Sequence, residues 1–213
     1  MPPSPGKFIT LEGGEGTGKS TQAHLLQSTL QQKGLTVVLT REPGGAPGAE
    51  LIRKLLVEGD ADRWDAMSEA LLLFAARRAH LRETIVPALN RGAWVVCDRF
   101  TDSTFAYQGD AGGLGRATIE RLAAIALDAD SPTPDVTLIL DIPVGTGLAR
   151  ALARGGAENR FESLGTDFHQ RLRDSFLQIA KRDPTRCVLI DAAPAPEAVA
   201  AAIIAALTTR LGV

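Results

Sequence analysis

A chain of 213 residues with 45% hydrophobic and 23% charged residues has an ordinary globular composition, with enough apolar material for a core. Its net charge of −2, with no basic run, argues against a dedicated nucleic-acid binder, which carries a basic stripe. The opening MPPSPGKFIT lacks the long apolar stretch of a secretory signal, and no apolar run is long enough to span a bilayer. No membrane is therefore expected, and the cytoplasm is the expected compartment.

In chain order, residues 1–6 are proline-rich and expected to fray. Five short apolar runs follow: KFITLE (7–12), LTVVLT (35–40), AWVVCD (93–98), DVTLILD (135–141) and RCVLID (186–191). Each is nearly continuous rather than alternating, which predicts strands covered on both faces. Helical spacing occupies 18–33, ending at Gly34, then 48–57, 66–91, 116–129, 143–153, 166–182 and 195–210. Pro87 should kink or split the third of these, and Pro143 suits a first helical position. Alternating strands and helices predict an α/β fold with a parallel sheet and right-handed crossovers, built as one domain over 1–213. Two segments break the alternation. TDSTFAYQGDAGGLG (101–115) and RGGAENRFESLG (154–165) are expected as polar loops, for substrate contact or as a lid. Cys97 and Cys187, each in an apolar run, are expected as buried small hydrophobes.

GGEGTGKST, covering Gly13, Gly14, Glu15, Gly16, Thr17, Gly18, Lys19, Ser20 and Thr21, fits the P-loop pattern. It follows a strand and opens a helix. Backbone N–H groups and the helix N-terminus would cradle phosphate, Lys19 would bridge the terminal phosphates, and Ser20 would offer its hydroxyl to Mg²⁺. This points to an ATP or GTP site in a P-loop NTPase fold. No Asn-Lys-x-Asp base-reading motif of a GTPase follows any strand.

Charges at other strand ends share this edge, where open α/β sheets bind ligands: Arg41-Glu42-Pro43, Asp98-Arg99 and Asp141. Asp98 suits Mg²⁺ and Arg99 a phosphate. Asp141 could instead cap the helix after Pro143. Phe74 and Arg78, at i and i+4, share a helical face that would suit a nucleobase and its phosphate, or simply core and solvent. Residues alone reach a P-loop kinase of a small phosphorylated acceptor. A kinase of another nucleoside monophosphate or small metabolite, or a regulatory nucleotide-binding switch, remains the alternative.

The stretches LEGGEGTGKST, TREPGG, LLFAARRAHL, VVCDRFTDSTFAYQG, LILDIP and NRFE, in this order, resemble thymidylate kinase over nearly the whole chain. The resemblance implies a five-stranded parallel sheet flanked by helices with a short lid, a homodimer, Mg²⁺, and transfer of the ATP γ-phosphate to dTMP. By the matching motifs, Phe74 would stack on thymine, with Arg78 and Thr104 at its polar edge and Gln108 nearby. Tyr107 would crowd the place of a ribose 2′-hydroxyl, and Glu15 would approach the 3′-hydroxyl. Arg53 and Arg99 would hold the acceptor phosphate, with Glu42, Pro43 and Asp98 beside the phosphates and metal. Some members carry a catalytic arginine inside the P-loop, where this chain has Gly16. The bacterial type places it in the lid, which here offers Arg150, Arg154 and Arg160. Arg154 is the expected catalytic group, with Arg160 also at the site.

Overall fold

The structure is a computed structural model of the chain and describes residues 6–59, 63–154, 161 and 164–213. Five strands, Phe8–Glu12 (β1), Val37–Arg41 (β2), Trp94–Asp98 (β3), Val136–Asp141 (β4) and Cys187–Asp191 (β5), form one parallel sheet in the order β2-β3-β1-β4-β5. β1, β3 and β4 are buried almost throughout, as the apolar runs predict. The edge strands depart from that expectation. β2 and β5 are partly open, and Leu189 is 50% exposed, because an edge strand lacks a neighbour on one side.

Side chains alternate across β1. Ile9 and Leu11 pack under Lys19–Gln32 (α1) and Pro196–Leu211 (α9), through Leu26, Leu30, Ile203 and Leu207. Phe8 faces the other layer, with Ile85, Val95 and Phe100. There, Thr166–Arg182 (α8) packs Leu172 and Phe176 against Ile139. Gly34, at φ +82°, ends α1 in the left-handed conformation expected of it.

Pro47–Val57 (α2) and Ala66–His80 (α3) follow β2. The run expected to be kinked or split at Pro87 is divided just before it. A π-type turn, Leu81–Ile85, precedes Val86–Asn90 (α4), and the wider winding pairs Val86 N–H with Leu81 C=O. Pro87, which has no N–H to give, then falls in the opening turn of α4.

The expected loop 101–115 is largely helical: Thr101–Thr104 (α5), a π-type stretch Phe105–Ala111, then the turn into Arg116–Ala126 (α6). Its polar side chains misled because they are satisfied inside the fold. Gln108 bonds Glu69, Asp102 pairs with Arg186, and Asp110 accepts from Ser175. The last of these secures the segment to α8. Val144–Arg154 (α7) starts one residue after Pro143, whose carbonyl takes the Gly147 N–H at 3.0 Å. Both cysteines are free and buried, and burial pushes both thiols up, Cys187 to about 12.

Candidate active site

The P-loop joins β1 to α1 with Gly13, Gly16 and Gly18 at positive φ. Gly16 is the strictest position. At φ +68°, a Cβ there would meet the Gly147 carbonyl oxygen on α7 at 1.9 Å. Gly147 in turn could not carry a Cβ without meeting Glu15 O at 2.6 Å, so loop and helix touch backbone to backbone. Lys19 folds back under the loop and donates to Gly14 O at 2.7 Å and Thr17 Oγ1 at 3.3 Å. Burial and the nearby Arg99 lower its ammonium to about 8, against the pull of Glu15, Asp98 and Glu12.

Ser20 Oγ donates to Asp98 Oδ2 at 2.6 Å, joining the α1 start to the end of β3. Asp98 Oδ1 is buried and has no partner among the described residues. Thr21 is exposed on the first turn of α1.

Arg99 is the centre of the acceptor side. Its Nη1 donates to Gly13 O at 3.0 Å, its Nη2 donates to Glu15 Oε1 at 3.0 Å, and its guanidinium lies 4.9 Å from the Tyr107 ring centroid. Tyr107 OH donates to the same Glu15 oxygen at 2.6 Å. For Glu15, burial alone would raise the carboxyl. Arg99, Lys19 and the Tyr107 hydroxyl outweigh it and hold the group down at about 2. Arg99, Glu15 and Tyr107 therefore come together, with Glu15 held in its carboxylate form near neutral pH.

Arg78 does not join them. It points outward to Ala126 O and Asp128, half exposed. The buried guanidinium is that of Arg77, one position earlier and 1% exposed. Its Nε donates to Glu42 Oε2 at 2.7 Å, and its Nη2 donates to Phe100 O at 3.1 Å and Thr104 Oγ1 at 3.0 Å. Residues at i+3 and i+4 both share a helical face with residue i, so spacing from Phe74 favours neither. Phe74 lies close by. It is buried with Ala70 and Ile119, and the Arg77 guanidinium lies over its ring at 5.0 Å. Arg77 Nη1 is left without a partner among the described residues, as is Gln108 Oε1.

Glu42, expected by the phosphates and metal, is committed to Arg77 and to His80 Nδ1 at 3.0 Å. His80 Nε2 lies 2.7 Å from Thr40 Oγ1, which fits a proton on Nδ1 and an acceptor at Nε2. The Glu42–Pro43 bond is cis, and Arg53 donates to Pro43 O at 2.8 Å. Asp141 does not serve as the helix cap that the sequence allowed. Arg173 on α8 grips it with two bonds, 2.7 and 2.8 Å. Among the lid arginines, Arg150 donates to Ala192 O and Ala193 O beyond β5. The Arg154 side chain, Arg160 and most of the 154–165 segment lie outside the described residues.

Sequence reasoning missed Arg77, Glu12, Ser103, His80 and His169. The last lines a pocket beside the P-loop with Gly13, Gly14, Leu140 and Ile142. Among the described residues no cluster of three or more His, Cys, Asp or Glu is gathered as a metal cage. No described helix is long and apolar enough to cross a membrane.

Comparison with known proteins agrees with this geometry. A family model described as Thymidylate kinase matches residues 11–203. The chain is 54% identical to a thymidylate kinase of Caulobacter vibrioides over 207 residues, 97% of this chain and 98% of that protein. It is 53% identical to one of Rhizorhabdus wittichii over 208 residues, 97% of this chain and 99% of that one. A crystal structure of thymidylate kinase from Ehrlichia chaffeensis superposes with a TM-score of 0.77 at 35% identity, covering 96% of this chain and 100% of that one.

Proposed function

The chain belongs to the thymidylate kinase family, and from that premise we propose how its residues carry the reaction. It is an enzyme that phosphorylates dTMP to dTDP, with ATP as phosphate donor. The whole chain, 1–213, works as one nucleoside monophosphate kinase domain with a lid at about 154–165. The observation that carries the assignment of roles is Arg99, bonded at once to the P-loop carbonyl of Gly13 and to Glu15. One guanidinium on that boundary can hold the acceptor phosphate against the donor phosphates cradled by Gly13–Thr21.

Phosphoryl transfer spreads negative charge over the transferred oxygens, so cations fixed around it supply the catalysis. Lys19 leaves Gly14 O for the terminal phosphates. Arg99 and Arg53 hold the acceptor phosphate, whose oxygen attacks directly. Arg154, with Arg160, closes from the lid in place of the P-loop arginine that Gly16 excludes. Glu15 receives the sugar 3′-hydroxyl and Tyr107 crowds a ribose 2′-hydroxyl, which disfavours ribonucleotides. Arg77 Nη1 and Gln108 Oε1, both buried and unpartnered among the described residues, supply a donor and an acceptor for the base edge beside Thr104. Glu42 and Pro43 hold Arg77 and Arg53.

Ser20 and Asp98 fit Mg²⁺, since Asp98 Oδ1 has a free lone pair and Ser20 Oγ lies beside it. With only these two groups from the chain, the ion would need further oxygen ligands from outside it. The ion, when bound, neutralises donor-phosphate charge.

Exposed Leu51 (66%), Leu71 (53%) and Ile125 (83%) lie on α2, α3 and α6, which pack side by side. Exposed apolar side chains on these neighbouring helices are what a homodimer would cover. Sedimentation equilibrium reads the mass, and a single 22.5 kDa species at micromolar concentration excludes it. The cytoplasm suits free buried cysteines, and fractionation with an activity assay checks it.

The test of function is ADP release from Mg·ATP with dTMP, dUMP, dCMP, dGMP, AMP or UMP, and without acceptor. The expected result is fastest turnover with dTMP and a blank near zero. Equal turnover in the blank supports a nucleotide switch instead, and another preferred monophosphate removes the base-edge roles above.

A further inference from the structure

Arg99 holds φ +71°, and it is the one non-glycine residue at positive φ among the described residues. Such a backbone is strained and persists only where its surroundings hold it. On its N-terminal side the clamp is the sheet, since Arg99 N–H bonds Leu11 O at 2.9 Å. On its C-terminal side the carbonyls of Arg99 and Phe100 accept from Cys97 Sγ and Arg77 Nη2, and the following N–H groups are held by one side chain. Glu12 Oε1 accepts Phe100 N–H at 2.7 Å and Ser103 N–H at 3.3 Å, and Glu12 Oε2 lies 2.6 Å from Ser103 Oγ.

Phe100 sits at the N-cap of α5 and makes no side-chain cap there. A carboxyl from a neighbouring strand does that work. Ser103 Oγ in turn accepts from Arg99 Nη1 at 3.3 Å. The same carboxyl therefore holds the turn that carries Arg99 and the hydroxyl that its guanidinium rests on.

Glu12 is fully buried in β1, immediately before the P-loop, and no described cation pairs with it directly. The nearest carboxylate, Asp102, is taken by Arg186.

We propose that Glu12 is the positioning residue of the acceptor site. From beneath the P-loop it holds the Arg99–Ser103 turn in its strained conformation and thereby points Arg99 at Gly13 and Glu15. Burial, then the charge of Asp102, raises the carboxyl to about 8, so it carries a proton at neutral pH. A neutral Glu12 does not compete with Glu15 for the guanidinium, while its oxygens still accept from Phe100 N–H and Ser103 Oγ.

The consequence for turnover rests on the reading of Arg99 as the acceptor-phosphate ligand, so the experiment reads position and kinetics separately. Tyr107 is the only tyrosine, and its ring lies under Arg99. One ¹³C-labelled ring signal therefore reports where the guanidinium is. Glu12→Ala is expected to move that signal as Arg99→Ala does, and to raise KM for dTMP about tenfold with KM for ATP within about threefold. The double variant is expected to be no worse than Arg99→Ala alone.

Glu12→Gln keeps the uncharged shape and the Oε1 acceptor for the Phe100 and Ser103 N–H groups, so it is expected to restore most of the wild-type signal and KM. Should Glu12→Ala not fold, Glu12→Asp, one methylene short, reads the same signal. A wild-type ring signal in the folded Ala or Asp variant overturns the proposal, as does additivity in the double variant. A moved signal with unchanged KM for dTMP, in both Glu12→Ala and Arg99→Ala, supports the positioning and removes the phosphate role of Arg99.

Discussion

Lys19→Met is expected to lower kcat on the order of 10³-fold, about 4 kcal/mol of transition-state stabilisation, without lowering the melting temperature. The rate loss follows from where the ammonium sits. It is 7% exposed and parked on Gly14 O and Thr17 Oγ1, with no solvent cation able to take its place. When phosphates occupy the loop, the parked donor turns to them at little cost in reorganisation. The stability half follows from linkage. Burial and Arg99 lower the lysine from 10.5 to about 8 in the fold. Between pH 8 and 10.5 the unfolded chain binds the proton and the folded chain does not, so stability rises with pH across that window. Below it the buried charge costs stability, and methionine removes that cost. In the wild type, kcat/KM for ATP should fall as pH rises through about 8, since this parameter reports the free enzyme. Steady-state rates from pH 6 to 10, with a thermal melt of each protein, check both halves. A rate loss under tenfold, or a melting temperature well below the wild type, would refute this account of Lys19.

The central strands and the P-loop were legible because each rests on local pattern: an apolar run, then glycines and a lysine in fixed register. The edge strands read the same in sequence as the central ones. Only the order β2-β3-β1-β4-β5 decides which strands keep a bare side. Residues 101–115 failed for a different reason. Polarity signals a loop only when the polar groups meet water, and here they meet Glu69, Arg186, Glu12 and Ser175 from four distant segments. Glu12 was hidden inside an apolar run, where its carboxyl read as the polar end of a strand. Its partners Phe100 and Ser103 are 88 and 91 residues away. Gly16 was noticed for the arginine it lacks, but its contact with Gly147 needs the placement of α7. Asp141 had a local reading as a cap, and a long-range arginine displaced it.

Arg77→Ala is expected to destabilise the fold by about 3–5 kcal/mol, while Arg78→Ala stays within about 1 kcal/mol. At this chain length that is a fall in melting temperature of roughly 6–20 °C against a few degrees. The two arginines are adjacent, so the contrast isolates environment from sequence. Arg77 is enclosed between the rings of Phe74 and Phe100 at 5.0 and 5.2 Å. Its loss leaves Glu42, 5% exposed, with His80 as its remaining side-chain partner, and an uncompensated buried carboxylate is the costly outcome. It also empties the space over Phe74 and releases Thr104 Oγ1 from its donor. Arg77→Lys should recover little, because an ammonium cannot reach Glu42, Phe100 O and Thr104 together as the planar fork does. Arg78 pays out only an exposed pair with Asp128 and a bond to Ala126 O. Kinetics separate the same two residues. KM for dTMP is expected to rise at least tenfold in whatever Arg77→Ala protein folds, and to hold within twofold in Arg78→Ala. The reverse pattern, with Arg78→Ala losing dTMP and Arg77→Ala keeping it, would return the base edge to the i+4 position and leave Arg77 a purely structural ion pair.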